Sequence, residues 1–516
     1  MDSTKLKNFF ARYWILIVLV AVKLILQFVL VNPVYELHRD EFLHLNQADH
    51  LAFGFISVPP FTSVVSKIIF LFGGSLFWIR FFPALFGALT VVVAWLIVES
   101  LGGKLFSKVL VSCALVFSVL VRLNILFQPN SFDILAWTTV FWLMIRYVQT
   151  DHSKWLYFLS VAVAIGFYNK YNLAFLMIGL VAGLLLTTQR KQFAKVPVWK
   201  AIFLIFLLIL PNLIWQLANH FPVLHHMRVL KENQLDNNSY SGFVRGQIMF
   251  FFGSIPLTIC AFLAFIRFKP FRIYRFIGLA VFAVLVLFTI LKAKDYYAIG
   301  LYPVLFAFGS VYLESILSRK RKFIMIPLLI SLNLLVFVFI IKTVFPVLTP
   351  PEIRANSAAF EKLGMLRWED GKNHQLPQDF ADMLGWKEMA GKALAAYEML
   401  PKNELKNTLV FCDNYGQTGA VNYYNRGKMP EAYSFNTDYI YWLPYQSQVR
   451  NILLVGQKPS QKVIDMFAEI KLIGAVENEF AREKGTSIYL LTGGNDEVSG
   501  MINKLAEERK AKFDIF

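Results

Sequence analysis

Long apolar runs alternate with short polar segments over the first two thirds of the chain. A helix needs about 20 apolar residues to cross the ~30 Å hydrocarbon core of a bilayer. Eleven runs approach that length, so the pattern predicts about 11 transmembrane helices and a mostly α-helical fold. The runs are residues 13–31, 78–98, 108–126, 132–148, 155–169, 172–188, 200–217, 245–266, 276–291, 298–316 and 323–346.

The pattern changes at the TPPE stretch, residues 349–352, after which the sequence has the composition of a soluble protein. Short β-rich runs there alternate with helical patterns, which is typical of an α/β domain. We therefore predict a transmembrane domain over 1–349 and a soluble α/β domain over 350–516. The β-rich runs are 408–413, 451–456 and 487–492, and the helical patterns are 383–400, 417–424 and 459–470.

Composition agrees with this division. Of the 516 residues, 57% are hydrophobic and only 16% are charged, whereas a soluble domain has about 25% charged residues. A wholly soluble enzyme and a disordered chain are therefore excluded. The three cysteines, Cys113, Cys260 and Cys412, are far apart and have no metal-binding spacing.

The charge is unevenly distributed. Residues 1–349 hold 31 Lys and Arg against 12 Asp and Glu, a net charge of 31 − 12 = +19, whereas residues 350–516 hold 20 against 22, a net of −2. A basic excess in an apolar domain marks the cytoplasmic side of a membrane. Nucleic acid is not an expected partner, because its binding would need a soluble basic face.

The basic residues also predict an orientation. With the N-terminus in the cytoplasm, six segments on one face collect 19 Lys and Arg against four acids. The first apolar run follows basic residues and lacks a small-residue cleavage site, so it is expected to be a retained anchor. An odd number of spans then places 350–516 on the extracytoplasmic side of the inner membrane.

The first outer loop, residues 32–61, carries the first candidate site residues. Asp40 and Glu41 are adjacent at the start of a short predicted helix, so their side chains point in different directions. One could then face a substrate while the other binds a cation or a structural partner. A solvated loop with a helix-capping acid explains the same residues equally well.

A second candidate acid is Asp133, in the segment FQPNSFDILAW. Ionisable groups at membrane depth are costly and for that reason are functional candidates. The alternative is a structural role, because an acid near the first turn of a helix is stabilised by the helix dipole.

Cations occur on the same predicted face. Lys170 lies in YNKYN, Lys292 and Lys294 lie in LKAKDYY beside Tyr296, and Arg39 precedes Asp40. Lys and Arg near a bilayer surface suit a phosphate group. For each one alone, a lysine that only extends from a helix end to the interface is the simpler explanation.

Histidines give a weaker signal. His38, His44 and His50 recur every six residues, which is neither the i, i+4 spacing of a helical zinc pair nor a zinc-finger spacing. A histidine-rich metal centre is a minor alternative.

Eight motifs, taken in order, resemble the bacterial glycosyltransferases that use polyprenyl-phosphate sugars, a group related to the protein O-mannosyltransferases and the aminoarabinose transferase of lipid A. The resemblance implies the GT-C membrane fold and sugar transfer at the outer face of the inner membrane. The motifs are HRDE (38–41), VPP (58–60), RFFPALFGALT (80–90), NSFDILAWT (130–138), GFYNKYN (166–172), LPNLIWQ (210–216), KAKDYYAIGLYP (292–303) and DNYGQTGAVNYY (413–424).

The resemblance also implies roles for the candidate residues. Asp40 matches the catalytic acid of the first loop, with Glu41 beside it, and Asp133 matches the acid of the second. The resemblance also implies that Asp40, Glu41 or Asp133 could hold a divalent cation, as in some relatives. The predicted contacts to the donor's phosphate are Lys170, Lys292, Lys294, Arg39 and Tyr296.

The sequence therefore predicts a membrane glycosyltransferase. It would move a sugar from a lipid-phosphate donor to an envelope glycan, lipid or protein, by inverting attack with Asp40 as the base. A flippase for lipid-linked sugars or another transporter is the main alternative, although no internal repeat of the kind common in transporters is visible. An assembly scaffold is a third.

Overall fold

The computed structural model describes residues 3–233, 235 and 238–511, which form a mostly α-helical molecule with one small β-sheet. Long helices fill the first two thirds of the chain, as the apolar runs predict. The helices are α1 (Ser3–Val29), α2 (Arg39–Asn46), α3 (Phe61–Leu71), α4 (Leu76–Ser100), α5 (Leu105–Val116), α6 (Leu120–Leu123), α7 (Pro129–Thr150), α8 (Lys154–Asn169), α9 (Leu173–Leu185), α10 (Val196–Ala218), α11 (Pro222–Asn233), α12 (Tyr240–Phe250), α13 (Ile255–Arg267), α14 (Arg275–Ile290), α15 (Tyr302–Ile316), α16 (Arg319–Val344), α17 (Pro350–Ala355), α18 (Ser357–Lys362), α19 (Gln378–Ala381), α20 (Trp386–Glu398), α21 (Tyr415–Tyr424), α22 (Tyr439–Trp442), α23 (Gln461–Ile464) and α24 (Glu497–Lys510).

The chain folds into two compact units. The first, which we call the helical unit, comprises Met1–Leu30, Phe77–Leu213 and Val229–Phe345. The second, which we call the mixed unit, comprises Val31–Leu76, Ile214–Arg228 and Pro346–Phe516. Two of its three segments thus come from the first two thirds of the chain. The division of the sequence at residue 349 remains a prediction.

Several helices are built to cross a membrane. Among the described residues, six are long and apolar enough, and eight if each of two bent helix pairs counts as one span. The protein is therefore a multi-pass membrane protein, while the number 11 remains a prediction. Two predicted runs are interrupted: 108–126 breaks after α5, which ends at Val116, and 245–266 contains a bend of 72° between Tyr240–Phe250 and Phe252–Arg267.

Small residues let the helices of this unit pack closely. A Cβ added at Gly183 of α9 would lie 2.1 Å from the Phe276 carbonyl oxygen of α14, and one at Gly309 of α15 would lie 2.0 Å from the Leu257 carbonyl oxygen of α13. Such contacts are sterically possible only for glycine. This close packing stabilises the association of the helices, because the hydrophobic effect between helices is weak in lipid.

A group of buried polar side chains inside the helical unit is connected by hydrogen bonds. Lys23 of α1 is fully buried, and its Nζ donates to Gln27 Oε1 at 2.8 Å and to Asn124 Oδ1 at 2.7 Å. Asn124 Nδ2 in turn donates to Ser131 Oγ at 2.7 Å. The amides and the hydroxyl offset the cost of placing an ammonium group among apolar helices, and they join α1 to the start of α7.

The mixed unit contains a five-stranded sheet in the order β2-β1-β3-β5-β4. The β2–β1 and β1–β3 pairs are parallel, whereas β3–β5 and β5–β4 are antiparallel. Helices α20 and α21 pack beside it, and α24 closes a core with Leu491 and Val498. The strands are β1 (Thr408–Cys412), β2 (Ala432–Tyr433), β3 (Asn451–Gly456), β4 (Glu469–Ala475) and β5 (Ser487–Thr492).

The sheet confirms the α/β prediction for the C-terminal third and corrects one element. The β-rich runs 408–413, 451–456 and 487–492 are strands, but the helical pattern at 459–470 is only the single turn α23. Residues from Glu469 onward instead form β4, which pairs with one neighbour only and has no buried residue. Such an edge strand lacks the alternation of buried and exposed residues that would have indicated a strand.

Candidate functional site

The first loop holds Asp40 and Glu41 at the start of α2, and the helix start gives the two acids different surroundings. Glu41 Oε2 accepts the backbone N–H of His38 at 2.6 Å, and His38 Nδ1 accepts the N–H of Asp40 at 3.2 Å. This reciprocal cap buries Glu41, which is 1% exposed, whereas the Asp40 side chain is 39% exposed. Glu41 therefore stabilises the helix start, and Asp40 is the acid that a substrate can reach.

Asp40 is held by a residue from the C-terminal third of the chain. The Tyr415 hydroxyl, at the start of α21, donates to Asp40 Oδ1 at 2.7 Å. The Arg39 guanidinium lies over the Tyr415 ring, 4.3 Å from its centroid. One tyrosine thus fixes the orientation of the candidate base and provides a surface on which its neighbouring cation stacks.

These contacts set the charge of both groups. Burial raises the pKa of the Asp40 carboxyl, but the electrostatic influence of His38 and the hydrogen bond from Tyr415 lower it by more, and the pKa lies below its ordinary value. Burial and the Asp40 charge raise the pKa of Tyr415 well above its ordinary value. At neutral pH Asp40 is ionised and Tyr415 is a proton donor to it.

Helix α2 is buried against α21. A Cβ at Gly419 would lie 2.6 Å from Phe42 Cβ, and one at Gly416 would lie 2.7 Å from Arg39 Cγ. Both glycines are in DNYGQTGAVNYY, and their lack of side chains brings the Asp40 helix into contact with α21. The two glycines of this motif therefore have a structural role, which is to let α2 and α21 pack closely.

A second contact anchors the segment before α2. The Arg39 backbone N–H donates to the Asp382 carbonyl oxygen at 3.0 Å, and the Arg482 guanidinium donates to the Asp382 carboxylate at 3.1 Å. His38 Nε2 is 3.9 Å from the same carboxylate. Asp382 therefore positions the segment that carries Asp40.

In the helical unit, the YNKYN segment joins three elements around Asp133. Asn169 Nδ2 donates to the Pro129 carbonyl oxygen at 2.8 Å, at the first residue of α7. Asn172 Nδ2 donates both to Asp133 Oδ2 at 3.0 Å and to the Tyr297 carbonyl oxygen at 3.1 Å. The buried Asp133 carboxylate is thereby fixed relative to the loop that carries Lys170.

Lys170 lies between aromatic rings and amide groups in this loop, outside the candidate spans. Its Nζ donates to Asn130 Oδ1 at 2.9 Å and lies 4.3 Å and 5.2 Å from the ring centroids of Tyr297 and Tyr296. Burial lowers the pKa of Lys170 most. The Asp133 carboxylate opposes this shift and a nearby like charge adds to it, which leaves the pKa at about 8.

The like charge is Lys294, while Lys292 has a different environment. Lys294 precedes a 3₁₀ turn, Asp295–Leu301, that carries Tyr296. Lys292 has a left-handed backbone with φ of 49°, and its ammonium group lies 5.5 Å from the Tyr240 ring centroid. Asp133, Lys170, Lys294 and Tyr296 are thus neighbours within one unit.

The described residues offer no cluster of three His, Cys, Asp or Glu side chains that could hold a metal ion. His44 is buried with its Nδ1 3.4 Å from Gln47 Oε1, and His50 Nε2 is 2.6 Å from Glu431 Oε1 and its ring stacks on Trp442. His44 and His50 therefore have structural contacts, and the metal site stays a prediction.

An apolar groove of about 560 Å³ runs along α4, α7 and α8. Its lining includes Phe132, which adjoins Asp133, and continues to Trp142 and Trp155. Among the residues that the structure describes, no charged side chain lines it. Its chemistry suits a hydrocarbon chain.

Several residues around the candidate acids carried no role in the sequence prediction. Tyr415 and Asn172 lie inside recognised motifs, and that position was the available signal. Tyr297 adjoins a residue that was selected. Asp382 lies in a stretch without any motif, and only the folded chain reveals its role.

Comparisons with known proteins extend the picture. Residues 57–215 match the family described as dolichyl-phosphate-mannose-protein mannosyltransferase. A search of curated protein sequences finds no match. The predicted class of protein, a glycosyltransferase, is the class to which the matched family belongs.

Two solved structures of ArnT from Cupriavidus metallidurans are similar over nearly the whole chain. The apo structure has a TM-score of 0.63 at 15% identity and covers 93% of this chain and 98% of its own. The structure bound to undecaprenyl phosphate has a TM-score of 0.60 at 13% identity, with 92% and 97% covered. The predicted resemblance is thus confirmed: this chain has the fold of the ArnT structures, and its residues 57–215 match a mannosyltransferase family.

Proposed function

We propose that the protein transfers a sugar from a polyprenyl-phosphate donor to an acceptor of the cell envelope, on the outer face of the inner membrane. The observation that carries the proposal is the likeness, over 92% of the chain, to ArnT bound to undecaprenyl phosphate. The ligand in that structure is a lipid with a phosphate group. We extend this class of ligand to the present chain, where the groove along α4, α7 and α8 would take the hydrocarbon.

Asp40 is the proposed base. In the transfer, the acceptor hydroxyl oxygen bonds to the anomeric carbon as the bond from that carbon to the phosphate oxygen breaks. The hydroxyl proton passes to the Asp40 carboxylate, and the lipid phosphate leaves with the bonding electrons. Attack from the face opposite the phosphate inverts the anomeric centre. A carboxylate that is ionised at neutral pH and partly exposed can accept that proton.

Lys170 is the proposed partner of the donor's phosphate. A phosphate that leaves as an anion needs positive charge and hydrogen-bond donors fixed in advance. The Lys170 ammonium group is held between Asn130 and two tyrosine rings. Lys294 and Tyr296 are its neighbours, and Asp133 compensates the charge when the phosphate is absent. Lys292 and Arg39 remain proposed phosphate contacts.

A divalent cation held by Asp40, Glu41 or Asp133 remains a prediction. Glu41 Oε2 accepts a hydrogen bond in the cap of α2, and the described residues offer no three-ligand cluster. The lysine ammonium groups can neutralise a leaving phosphate, and a tyrosine hydroxyl can donate a hydrogen bond to it. No step of the transfer is assigned to a cation.

The proposed orientation follows from the charges. The segments rich in Lys and Arg would lie in the cytoplasm, and the C-terminal residues would lie outside. A reporter enzyme that is active only in the periplasm, fused to the C-terminus, should be active. An inactive reporter there, with an active one inserted into the basic segment Thr188–Ala194 before α10, would reverse the orientation.

The function is tested with purified full-length protein in detergent. The protein is incubated with a panel of radiolabelled polyprenyl-phosphate sugars and an envelope extract as acceptor. We expect one sugar to appear in the acceptor fraction with equimolar release of polyprenyl phosphate. A transporter gives no product, because detergent removes the two compartments it needs. Absence of any release with every donor would contradict the proposal.

A further inference from the structure

A second groove opens at one end of the helical unit, where α9, α13 and α14 meet. Its volume is about 970 Å³. Its walls are mainly apolar residues, several of them exposed, among them Ile266 with 66% and Phe282 with 60% of the residue surface accessible. A wall of this kind is stable in contact with hydrocarbon and costly in contact with water.

Three arginines also line this groove: Arg190, Arg272 and Arg275. Within the described part of the chain, no Asp or Glu belongs to its lining. Arg275 Nε and Nη2 donate to the carbonyl oxygens of Phe265 and Ile266, at 2.9 Å and 2.7 Å, and thereby cap the end of α13. Arg190 and Arg272 are exposed. The groove therefore presents positive charge beside an apolar surface.

The length of α14 gives the distance along the helix between this groove and Lys292. The helix starts at Arg275 and has 16 residues, so its two ends are about 24 Å apart. Lys292 follows its other end. This separation is close to the thickness of the hydrocarbon core. The arginines thus lie near the membrane interface opposite to the one at which Lys170, Lys292 and Lys294 are placed by the proposed function.

We infer that this groove is a binding site for an anionic phospholipid of the bilayer. The guanidinium groups of Arg190 and Arg272 would bind the phosphate, since arginine forms paired hydrogen bonds with it. The acyl chains would lie on the apolar wall beside Ile266 and Phe282. A free phosphate would leave that wall exposed. Basic pockets between helices recognise lipid head groups by this combination.

The test uses the full-length protein in detergent and counts bound lipids by native mass spectrometry. Phosphatidylglycerol is titrated against wild type, against the double variant R190Q/R272Q and against the control double variant R319Q/K320Q. The control removes two exposed cations from the start of α16, which do not line the groove. Arg275 is kept because it caps α13. Phosphatidylcholine and inorganic phosphate are the other two probes.

We expect one phosphatidylglycerol per protein, bound about thirtyfold more weakly by R190Q/R272Q and within about twofold of wild type by R319Q/K320Q. Unchanged elution volume and melting temperature of R190Q/R272Q would show that folding is intact. Equal loss in both variants, or binding of phosphatidylcholine as strong as that of phosphatidylglycerol, would overturn the assignment. So would displacement of the lipid by millimolar inorganic phosphate, since the site would then be one for the free ion.

Discussion

The Tyr415 hydroxyl donates to Asp40 Oδ1 at 2.7 Å across a sequence separation of 375 residues. Both residues belong to the mixed unit, which combines the first loop with the C-terminal third of the chain. The candidate base is therefore oriented and kept ionised by a residue that lies far from it in the sequence.

Replacing Tyr415 by Phe tests that bond. The variant removes one donor to a carboxylate and keeps the ring under Arg39, so we expect sugar transfer to fall roughly tenfold. The hydrogen bond lowers the pKa of Asp40, and its loss raises that pKa. Because the carboxylate is the active form, the acid limb of the pH profile should move to higher pH.

The matched control for this variant is Y433F. The Tyr433 hydroxyl also donates to a carboxylate, Glu431 Oε2 at 3.2 Å, in the same unit. Its removal should leave both the rate and the pH profile unchanged. If Y415F keeps the wild-type acid limb, or if Y433F shifts it equally, Tyr415 does not act on Asp40.

Much of the fold could be predicted because lipid and water impose strong patterns. Apolar runs gave the long helices, and three of the five strands were buried enough to be recognised. The two other strands were missed for physical reasons: β2 has two residues, and β4 is an exposed edge. Bends within helices, as in the 245–266 run, depend on packing that hydropathy does not record.

The candidate site could be predicted only in part. The order of the motifs indicated Asp40, Asp133 and Lys170. The sequence alone could not show which of the adjacent acids, Asp40 or Glu41, faces a substrate, because that depends on their hydrogen bonds. The cap that uses Glu41 separates it from Asp40. Tyr415 contacts Asp40 through a long-range contact between α2 and α21, and no local pattern encodes such a contact.

Gly419 should be sensitive to a single added methyl group. In G419A the new Cβ would lie 2.6 Å from Phe42 Cβ, so α2 must move and carry Asp40 with it. We expect a destabilisation of about 1–3 kcal/mol and a loss of transfer of at least tenfold. Labelling of Cys412, buried in β1, by a thiol reagent during heating reports unfolding of this unit.

Gly391 supplies the control for that substitution. It lies exposed in α20, and a Cβ there meets no atom within 4 Å. Alanine is a better helix former than glycine, so G391A should be neutral or more stable by up to about 1 kcal/mol. A G419A protein that labels and transfers like G391A would show that the close approach of α2 and α21 is not needed.

The pKa of Lys170 leads us to expect that activity falls at alkaline pH. Its pKa of about 8 means that the free enzyme loses this positive charge as the pH rises through that value. If the ammonium group binds the donor's phosphate, kcat/KM should fall above pH about 8. In K170R the charge persists, because the guanidinium stays protonated, and the alkaline limb should move to higher pH.

A lysine outside this loop provides the comparison for K170R. Lys154, at the start of α8, lies over the Trp155 ring and should give K154R a wild-type profile. A K170R profile that declines at the wild-type pH would assign the limb to another group. That outcome would remove Lys170 from phosphate binding.

The central claim, that Asp40 is the base for sugar transfer, is tested most directly by measuring single-turnover transfer from the radiolabelled donor by D40N and D49N. Asp49 also lies in the first loop, where it forms an ion pair with Arg426 at the surface. Asparagine keeps the shape of Asp40 and removes the proton acceptor, so D40N should lose at least a hundredfold in rate, while D49N transfers as wild type. Transfer by folded D40N at the wild-type rate would contradict the account.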